Sequence, residues 1–428
     1  MRSRATHPQK SVRGEMTNIR NLCAFVFVTV AAFAQSSPTS LQPLIVEARQ
    51  NNLAIKAAES AIQTTRYMPK QASALPDTEV MVQHFSVGSP RPFAGYSNSD
   101  FAYIGFGASQ ELPYPGKRAL RASVAQHEAA ISGAEKNSVV WNVLTRLKLT
   151  YFQLAASENI ISVLSRNQQV VDQIEQGAEA RYRVGQGMQQ DVLRAQLERT
   201  KLLNELSMQR RESAQAQVVL KALLNRPAES SDIIPEPLSG RQIPAVGVLI
   251  AKLREHNPEL QVSAEQVSQG RAAVELAKRE KKPDFGGQYM WQHTADNFRD
   301  YYMATFSIKL PNRSRVRAAE GEAEAKVAQS EAEKESRLKQ MESDLGEQLA
   351  IVETADQQLK VYEEGLIPQS EAALNAGLVG YRTGKQEYQG LLASFSDTLQ
   401  LSIDRERTLA EHEAAIARIE GLIGEDLQ

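Results

Sequence analysis

One pattern occurs twice in this chain. Tyr182-Arg183-Val184-Gly185, followed by Asp191-Val192-Leu193, returns 199 residues later as Tyr381-Arg382-Thr383-Gly384, followed by Gly390-Leu391-Leu392. In both places the pattern closes one long helical run and opens another. A repeat of this length constrains the architecture before any local motif does, because each copy must be a structural unit that packs against its neighbour. It predicts two copies of a helix–hairpin–helix–helix unit, over 35–225 and 246–428, and a protein whose work rests on shape.

The first copy opens with a helical run over 40–72, where Leu44, Ala48, Ile55, Ala58 and Ile62 recur at helical spacings, and Pro76-Asp77 ends it. Strands are predicted over 78–87 and 100–112, separated by turn formers over 88–99. Leu112-Pro113-Tyr114-Pro115-Gly116 closes the second strand. No strong breaker follows, so a helix is predicted over 116–182, about 100 Å long at ~1.5 Å per residue. Gly133 and Gly177 only weaken it. Gly185-Gln186-Gly187 reads as a tight turn before a helix over 188–224.

The second copy repeats this order. A helix over 246–281, interrupted near Pro258, leads to Pro283-Asp284 and to strands over 285–293 and 301–310, joined by a turn at 294–300. After Leu310-Pro311 come a long helix over 313–381, a turn at Gly384 and a helix over 385–423. Pro227, Pro235, Pro237 and Pro244 mark a linker over 226–245. Each copy sets one long helix against two of about half its length, which suits a tall helical wall. The fold class expected is mainly α with a small β part.

In the later strands Phe285, Tyr289, Trp291, Tyr302, Ala304, Phe306, Ile308 and Leu310 take one side. Gln288, Gln292, Thr305, Ser307 and Lys309 take the other. Apolar-out, polar-in alternation over about 9–11 residues is the pattern of a membrane β-barrel strand. A soluble hairpin packed on one side would show it too. Four strands per chain cannot close a barrel of useful size, so a barrel implies oligomerisation.

The first forty residues read as an export segment. Arg2, Arg4, Lys10, Arg13 and Arg20 precede an apolar run from Leu22 to Phe33, and Ala32-Phe33-Ala34 fits a small-residue cleavage site. The expected signal peptide is 1–34, with the mature chain starting at Gln35 and either Met1 or Met16 as the initiator. The apolar run is too short for an anchor, which needs ~20 residues. The one cysteine, Cys23, falls inside it, so no disulfide or thiolate metal site is expected in the mature chain. Its removal moves the net charge from −2 to −6, which excludes a basic nucleic-acid footprint.

Tyr182–Ala195, which reads Tyr-x-x-Gly-x5-Asp-Val-Leu-x-Ala, resembles the TolC-like outer-membrane efflux channel family, as does its altered second copy at Tyr381. The strand exits Leu112-Pro113-Tyr114-Pro115-Gly116-Lys117-Arg118 and Leu310-Pro311-Asn312-Arg313-Ser314-Arg315 are also similar to that family. The stretch from Ser109 to Arg118 is similar to its heavy-metal efflux branch. The resemblance runs from about Leu41 to Leu422.

It implies a homotrimer in which each chain gives four strands to one transmembrane β-barrel in outer-membrane lipid, continued through the periplasm by a long α-helical barrel, with 226–245 in an equatorial belt. It implies that the two repeat turns are the periplasmic tips, which form the gate and meet the periplasmic adaptor of a tripartite efflux system. The inner-membrane pump would be of the resistance–nodulation–division type. The tip residues singled out are Tyr182, Gly185, Gly187, Asp191, Tyr381, Gly384 and Lys385. Gly185 offers positive φ, Asp191 suits a helix N-terminus, the tyrosines are placed to pack across the tip, and Lys385 is a candidate for an inter-helix salt bridge. Where the family often carries acidic gate residues, this chain has Gly390 and Ala393.

Catalytic chemistry is absent from the pattern. Gly105-Phe106-Gly107 lies in a strand and lacks a third glycine, and His84, His127, His256, His293 and His412 show no metal-ligand spacing. No enzyme activity, cofactor or metal is expected. The function expected is a passive efflux conduit for small molecules or metal ions. Two alternatives stay open: the outer-membrane component of a type I protein secretion system, and a periplasmic coiled-coil structural protein.

Overall fold

The computed structural model describes residues 38–86, 102–294 and 299–427. The expected signal peptide, the Gln35 start, the loop at 88–99 and most of the turn at 294–300 lie outside the described residues. The chain is mostly helical with one small sheet. Its first half holds α1 (Leu41–Asn51), α2 (Leu53–Thr65), α3 (Met68–Ala72), β1 (Glu79–Phe85), β2 (Tyr103–Leu112), α4 (Lys117–Arg183) and α5 (Gln189–Leu223). Its second half holds α6 (Val246–His256), α7 (Pro258–Arg279), β3 (Asp284–His293), β4 (Tyr301–Lys309), α8 (Arg313–Val361), a π-helical turn (Tyr362–Leu366), α9 (Ile367–Arg382) and α10 (Tyr388–Ile423).

Three helices depart from the sequence expectation, each for a local reason. The run over 40–72 is not continuous. The Asn52 side chain accepts from Ala54 N at 2.9 Å and Ile55 N at 3.4 Å, capping α2, while its Nδ2 donates to Leu223 O at 2.8 Å. A buried asparagine thus breaks the first helix and ties the break to the end of α5. Asn257 repeats the device. Its Oδ1 accepts from Leu260 N at 2.8 Å, and its Nδ2 donates to Leu422 O near the end of α10 at 2.6 Å.

The run over 313–381 is interrupted by the π turn, because Pro368 lacks an N–H and its ring displaces the carbonyl one turn back. The last helix starts at Tyr388 and not at 385, because the amides of Lys385 and Gln386 are used to close α9, donating to Gly380 O at 2.8 and 3.2 Å.

Against α4, unbroken over 67 residues, pack α2, α3, α5, α7 and α10. The apolar core is strung along the helices in three clusters. One surrounds Leu144, Leu147 and Leu220, a second Leu164, Leu206 and Phe395, and a third Leu253, Leu345 and Ile416. No described helix is long and apolar enough to cross a membrane.

The stretch between α5 and α6 is irregular yet pinned. Gln217 holds Ile233 at both backbone groups (2.6 and 3.0 Å), and Thr39 N donates to Ile234 O at 2.7 Å. Arg241 donates to Glu413 (2.6 Å) and Glu420 (3.0 Å) of α10, and Glu420 also accepts from the buried Lys148 of α4 at 2.7 Å.

The sheet is antiparallel in the order β1-β2-β3-β4. Its register sorts the side chains onto two faces. Val80, Val82, Phe106, Ala108, Leu112, Phe285, Tyr289, Trp291, Tyr302, Ala304, Phe306 and Ile308 share one face, interrupted by His84, Gln110, Gly287 and His293. Much of that face is bare: Val80 is 78% exposed, Phe306 69% and Tyr302 65%.

The sheet joins the helices at a buried lysine. Lys117, 1% exposed, reaches Asp284 Oδ1 at 2.9 Å and Glu280 Oε2 at 3.0 Å, and the Tyr114 amide donates to Asp284 at 2.7 Å. The strand exit of the first half is thereby bonded to the Pro283-Asp284 break of the second. Lys117→Ala leaves Asp284 without its cation beside a cavity while Glu280 keeps Arg121 at 3.2 Å, and because both carboxylates are partly exposed the loss falls below the ~3–5 kcal/mol of a fully buried pair. The expected outcome is a clear drop in the unfolding midpoint, read by chemical denaturation.

Candidate functional site

The α4–α5 and α9–α10 turns close with the same hydrogen bonds. Gly185 N donates to Tyr182 O at 3.0 Å and Gln186 N to Arg181 O at 2.9 Å. At the second turn Gly384 N donates to Tyr381 O at 3.2 Å and Lys385 N to Gly380 O at 2.8 Å. This is the Schellman motif, which needs a left-handed residue just past the helix. Gly185 (φ 74°) and Gly384 (φ 76°) supply it at no steric cost.

Gly187 serves the same turn in another way. A Cβ there would lie 3.1 Å from Arg181 Cβ and from Tyr182 N, so this glycine permits close approach. The equivalent pair in the second turn is Gly380 and Gln386, with the bulk exchanged. A Cβ on Gly380 would lie 3.0 Å from both Gln386 Cβ and Gln386 Oε1. At each turn only one of the two facing positions has room for a side chain. The first copy spends it on Arg181 and the second on Gln386, which lies among Gly377, Gly380 and Gly390.

Arg181 uses that room to cross to the other turn. Its Nη1 donates to Tyr381 O at 2.5 Å, its Nη2 to Gln186 O at 3.2 Å, and its guanidinium carbon sits 4.8 Å from the Tyr381 ring centre. Tyr381 meets Tyr388 edge to face at 5.8 Å. Both rings are buried, at 4% and 3% exposure, and neither hydroxyl has a hydrogen-bond partner among the described residues. Burial, with the nearby Asp191 carboxylate adding to it, pushes the Tyr381 hydroxyl pKa above its usual value against the opposing Arg181 charge. Burial does the same to Tyr388, reinforced by Tyr381 and Asp191.

The structure brings Gly185, Gly187, Asp191, Tyr381, Gly384 and Lys385 around one open cleft of about 690 Å³ between the two turns. Asp191 lies in the first turn of α5. Tyr182 stands apart, 47% exposed and outside the cleft. Lys385 forms no ion pair with a described residue; Arg181 is the cation that crosses the tip. Arg181, Tyr388 and Gln386 were not singled out from the sequence. The signal for them is there, since Arg181/Gly187 against Gly380/Gln386 is a reciprocal exchange at the repeat offset. Among the described residues no three His, Cys, Asp or Glu side chains gather as a metal site.

Two outcomes are expected from this packing. Gly380→Ala crowds Gln386 and costs about 1–3 kcal/mol as overpacking, and Gln386→Gly restores the loss; hydrogen exchange over 380–390 measures both. Tyr388→Phe removes a buried hydroxyl with no partner and is neutral or stabilising by about 1 kcal/mol. Because folding raises the Tyr388 pKa, this group leaves stability independent of pH below its ordinary pKa of 10.0 and lowers it as pH rises above that value. Tyr388→Phe therefore flattens the alkaline limb of a stability–pH profile.

The chain was compared with known proteins. No curated protein matches it in sequence. Among solved structures it is similar to the outer-membrane channel OprN, at 15% identity and TM-score 0.76, over 90% of this chain and 89% of that one. It is similar to the outer membrane protein VceC of Vibrio cholerae, at 16% identity and TM-score 0.75, over 91% and 97% of the two chains. It is also similar to the MtrE outer membrane channel of Neisseria gonorrhoeae in its open state, at 18% identity and TM-score 0.75, over 91% and 89%. At these identities the likeness concerns the fold. The sequence profile of the outer membrane efflux protein family matches residues 44–226 and 249–421, most of the chain, and the protein accordingly belongs to that family.

Proposed function

We propose that this protein is the outer-membrane duct of a tripartite efflux system, a passive conduit built as a homotrimer of two-repeat chains. Three copies of the four-stranded sheet would close one barrel through β1 and β4, the edge strands, which lack a second partner strand among the described residues. The helices would continue it as a tall α-helical barrel in the periplasm, with 226–245 in an equatorial belt. The two turns would be the periplasmic tips, where an adaptor protein docks beneath an inner-membrane pump of the resistance–nodulation–division type. Arg181 and the Tyr381–Tyr388 pair would hold the tips together when the duct is shut.

The observation that carries this reading is the sheet. Its apolar face is bare over all four strands, while the opposite face is dominated by Gln, Ser, Thr, Glu, Asp and Lys. A soluble hairpin domain would cover that apolar face with a helix, and no described helix lies on it. Lipid is the solvent that tolerates it.

Neighbouring positions on β4 test the reading. Phe306→Lys puts a charge on the face assigned to lipid and is expected to cost about 2–4 kcal/mol near the bilayer midplane, with loss of the heat-resistant trimer from the outer-membrane fraction. Thr305→Lys, one residue away on the other face, is expected to assemble normally. Equal tolerance of both, or a chain recovered only from soluble periplasm, would sink the proposal.

A further inference from the structure

The polar face of the sheet departs from its pattern on a single rung. Apart from Phe85, Tyr103 and Tyr301 at the loop end, every residue on that face is polar or glycine except three methionines. The register puts all three in one line: Met81 pairs with Gly107, Gly107 with Met290, and Met290 with Met303. The remaining strand, β2, has Gly107 on the same rung, and its missing side chain leaves room for its neighbours. A Cβ on Gly107 would lie 3.3 Å from both Cβ and Cε of Met290, and one on Gly105 would lie 3.4 Å from Met290 Sδ.

Two of the sulfurs already accept polar contacts. Gln288 Nε2 donates to Met81 Sδ at 3.3 Å, and Gln292 Nε2 donates to Met290 Sδ at 3.3 Å. Met290 is buried, whereas Met303 is 42% exposed. Packing against lipid does not account for these residues, because they lie on the face opposite the apolar one.

We propose that Met81, Met290 and Met303 form a thioether site for a soft monovalent cation, Cu(I) or Ag(I), on the inner wall of the barrel. The inference rests on the channel reading, since it takes the polar face as the lumen. Neutral, polarisable thioethers favour such cations, while Mg²⁺, Ca²⁺ and Mn²⁺ prefer oxygen donors. Met290 and Met303 stand on adjacent strands about 4.8 Å apart, and Met81 lies two strands from Met290, about 10 Å away across Gly107, so neighbouring methionines of the row are within pairwise reach of long, flexible side chains. Three chains would turn the row into a ring. A shallow site of this kind suits a conduit, where a passenger must bind weakly enough to leave.

The test uses the assembled protein, extracted from outer membranes without a polyhistidine tag and titrated with silver nitrate in chloride-free buffer by calorimetry. The comparison is the triple variant Met81→Leu, Met290→Leu, Met303→Leu, which keeps volume and removes the sulfur donors. Heat-resistant trimer on gels confirms that both proteins are assembled. The expected result is Ag(I) binding by the wild type that weakens at least tenfold in the variant. Assembled wild-type protein that binds no Ag(I), or binds it no better than the assembled variant, overturns the site and leaves the channel reading standing. A wild-type chain that never enters the outer membrane overturns the channel reading, and the inference with it. If the triple variant alone fails to assemble, Met303→Leu serves as the comparison, and unchanged binding there overturns the site.

Discussion

A backbone hydrogen-bond ladder unbroken from Lys117 to Arg183 is what the remaining structure is hung on. At ~1.5 Å per residue this helix is about 100 Å long, and helices of both halves pack along it. Its ends carry two of the places where the halves are bonded together, with Lys148–Glu420 between them. Lys117 at one end holds Asp284 and Glu280; Arg181 near the other holds Tyr381. The separation between sheet and turns is thus set by one rigid element. A proline or a capped asparagine inside it would let the two ends shift independently. The second long run does have such an interruption, the π turn before Pro368.

The buried polar groups do the joining that a single large core would do in a globular domain. Asn52 and Asn257 each break a helix and clamp the break to the end of a distant one. Lys148, Arg241, Glu413 and Glu420 bind the irregular linker to α4 and α10. A core strung thinly along long helices leaves large apolar side chains exposed, as Leu193, Leu197 and Val218 of α5 are. In the proposed homotrimer such surfaces would complete their burial by assembly.

The two turns show how one backbone solution accepts two side-chain sets. Both close with the same pair of amide bonds around a left-handed glycine. The steric rule that only one of two facing positions can carry bulk is met in opposite senses, by Arg181 over Gly187 and by Gln386 over Gly380. The copies are therefore alike in path and unlike in chemistry. The first contributes the cation that crosses between them, and the second the buried aromatic pair that receives it.

Much of this was legible in the sequence, because it depends on local chemistry. Prolines and glycines mark where helices and strands stop, alternation marks the faces of the strands, and the 199-residue offset ties one turn to the other. The breaks at Asn52 and before Tyr388 were not legible. The Asn52 break is held by the carbonyl that receives its side chain, that of Leu223, 171 residues away. Likewise Tyr182 and Tyr381 are equivalent in sequence, yet one is exposed and the other buried, because only Tyr381 faces Arg181 and Tyr388. The methionine row is the plainest case. Each methionine sits in its own strand with nothing local to distinguish it, and only strand register brings Met81, Met290 and Met303 onto one line. Local propensity determined the elements; long-range pairing decided which side chains meet.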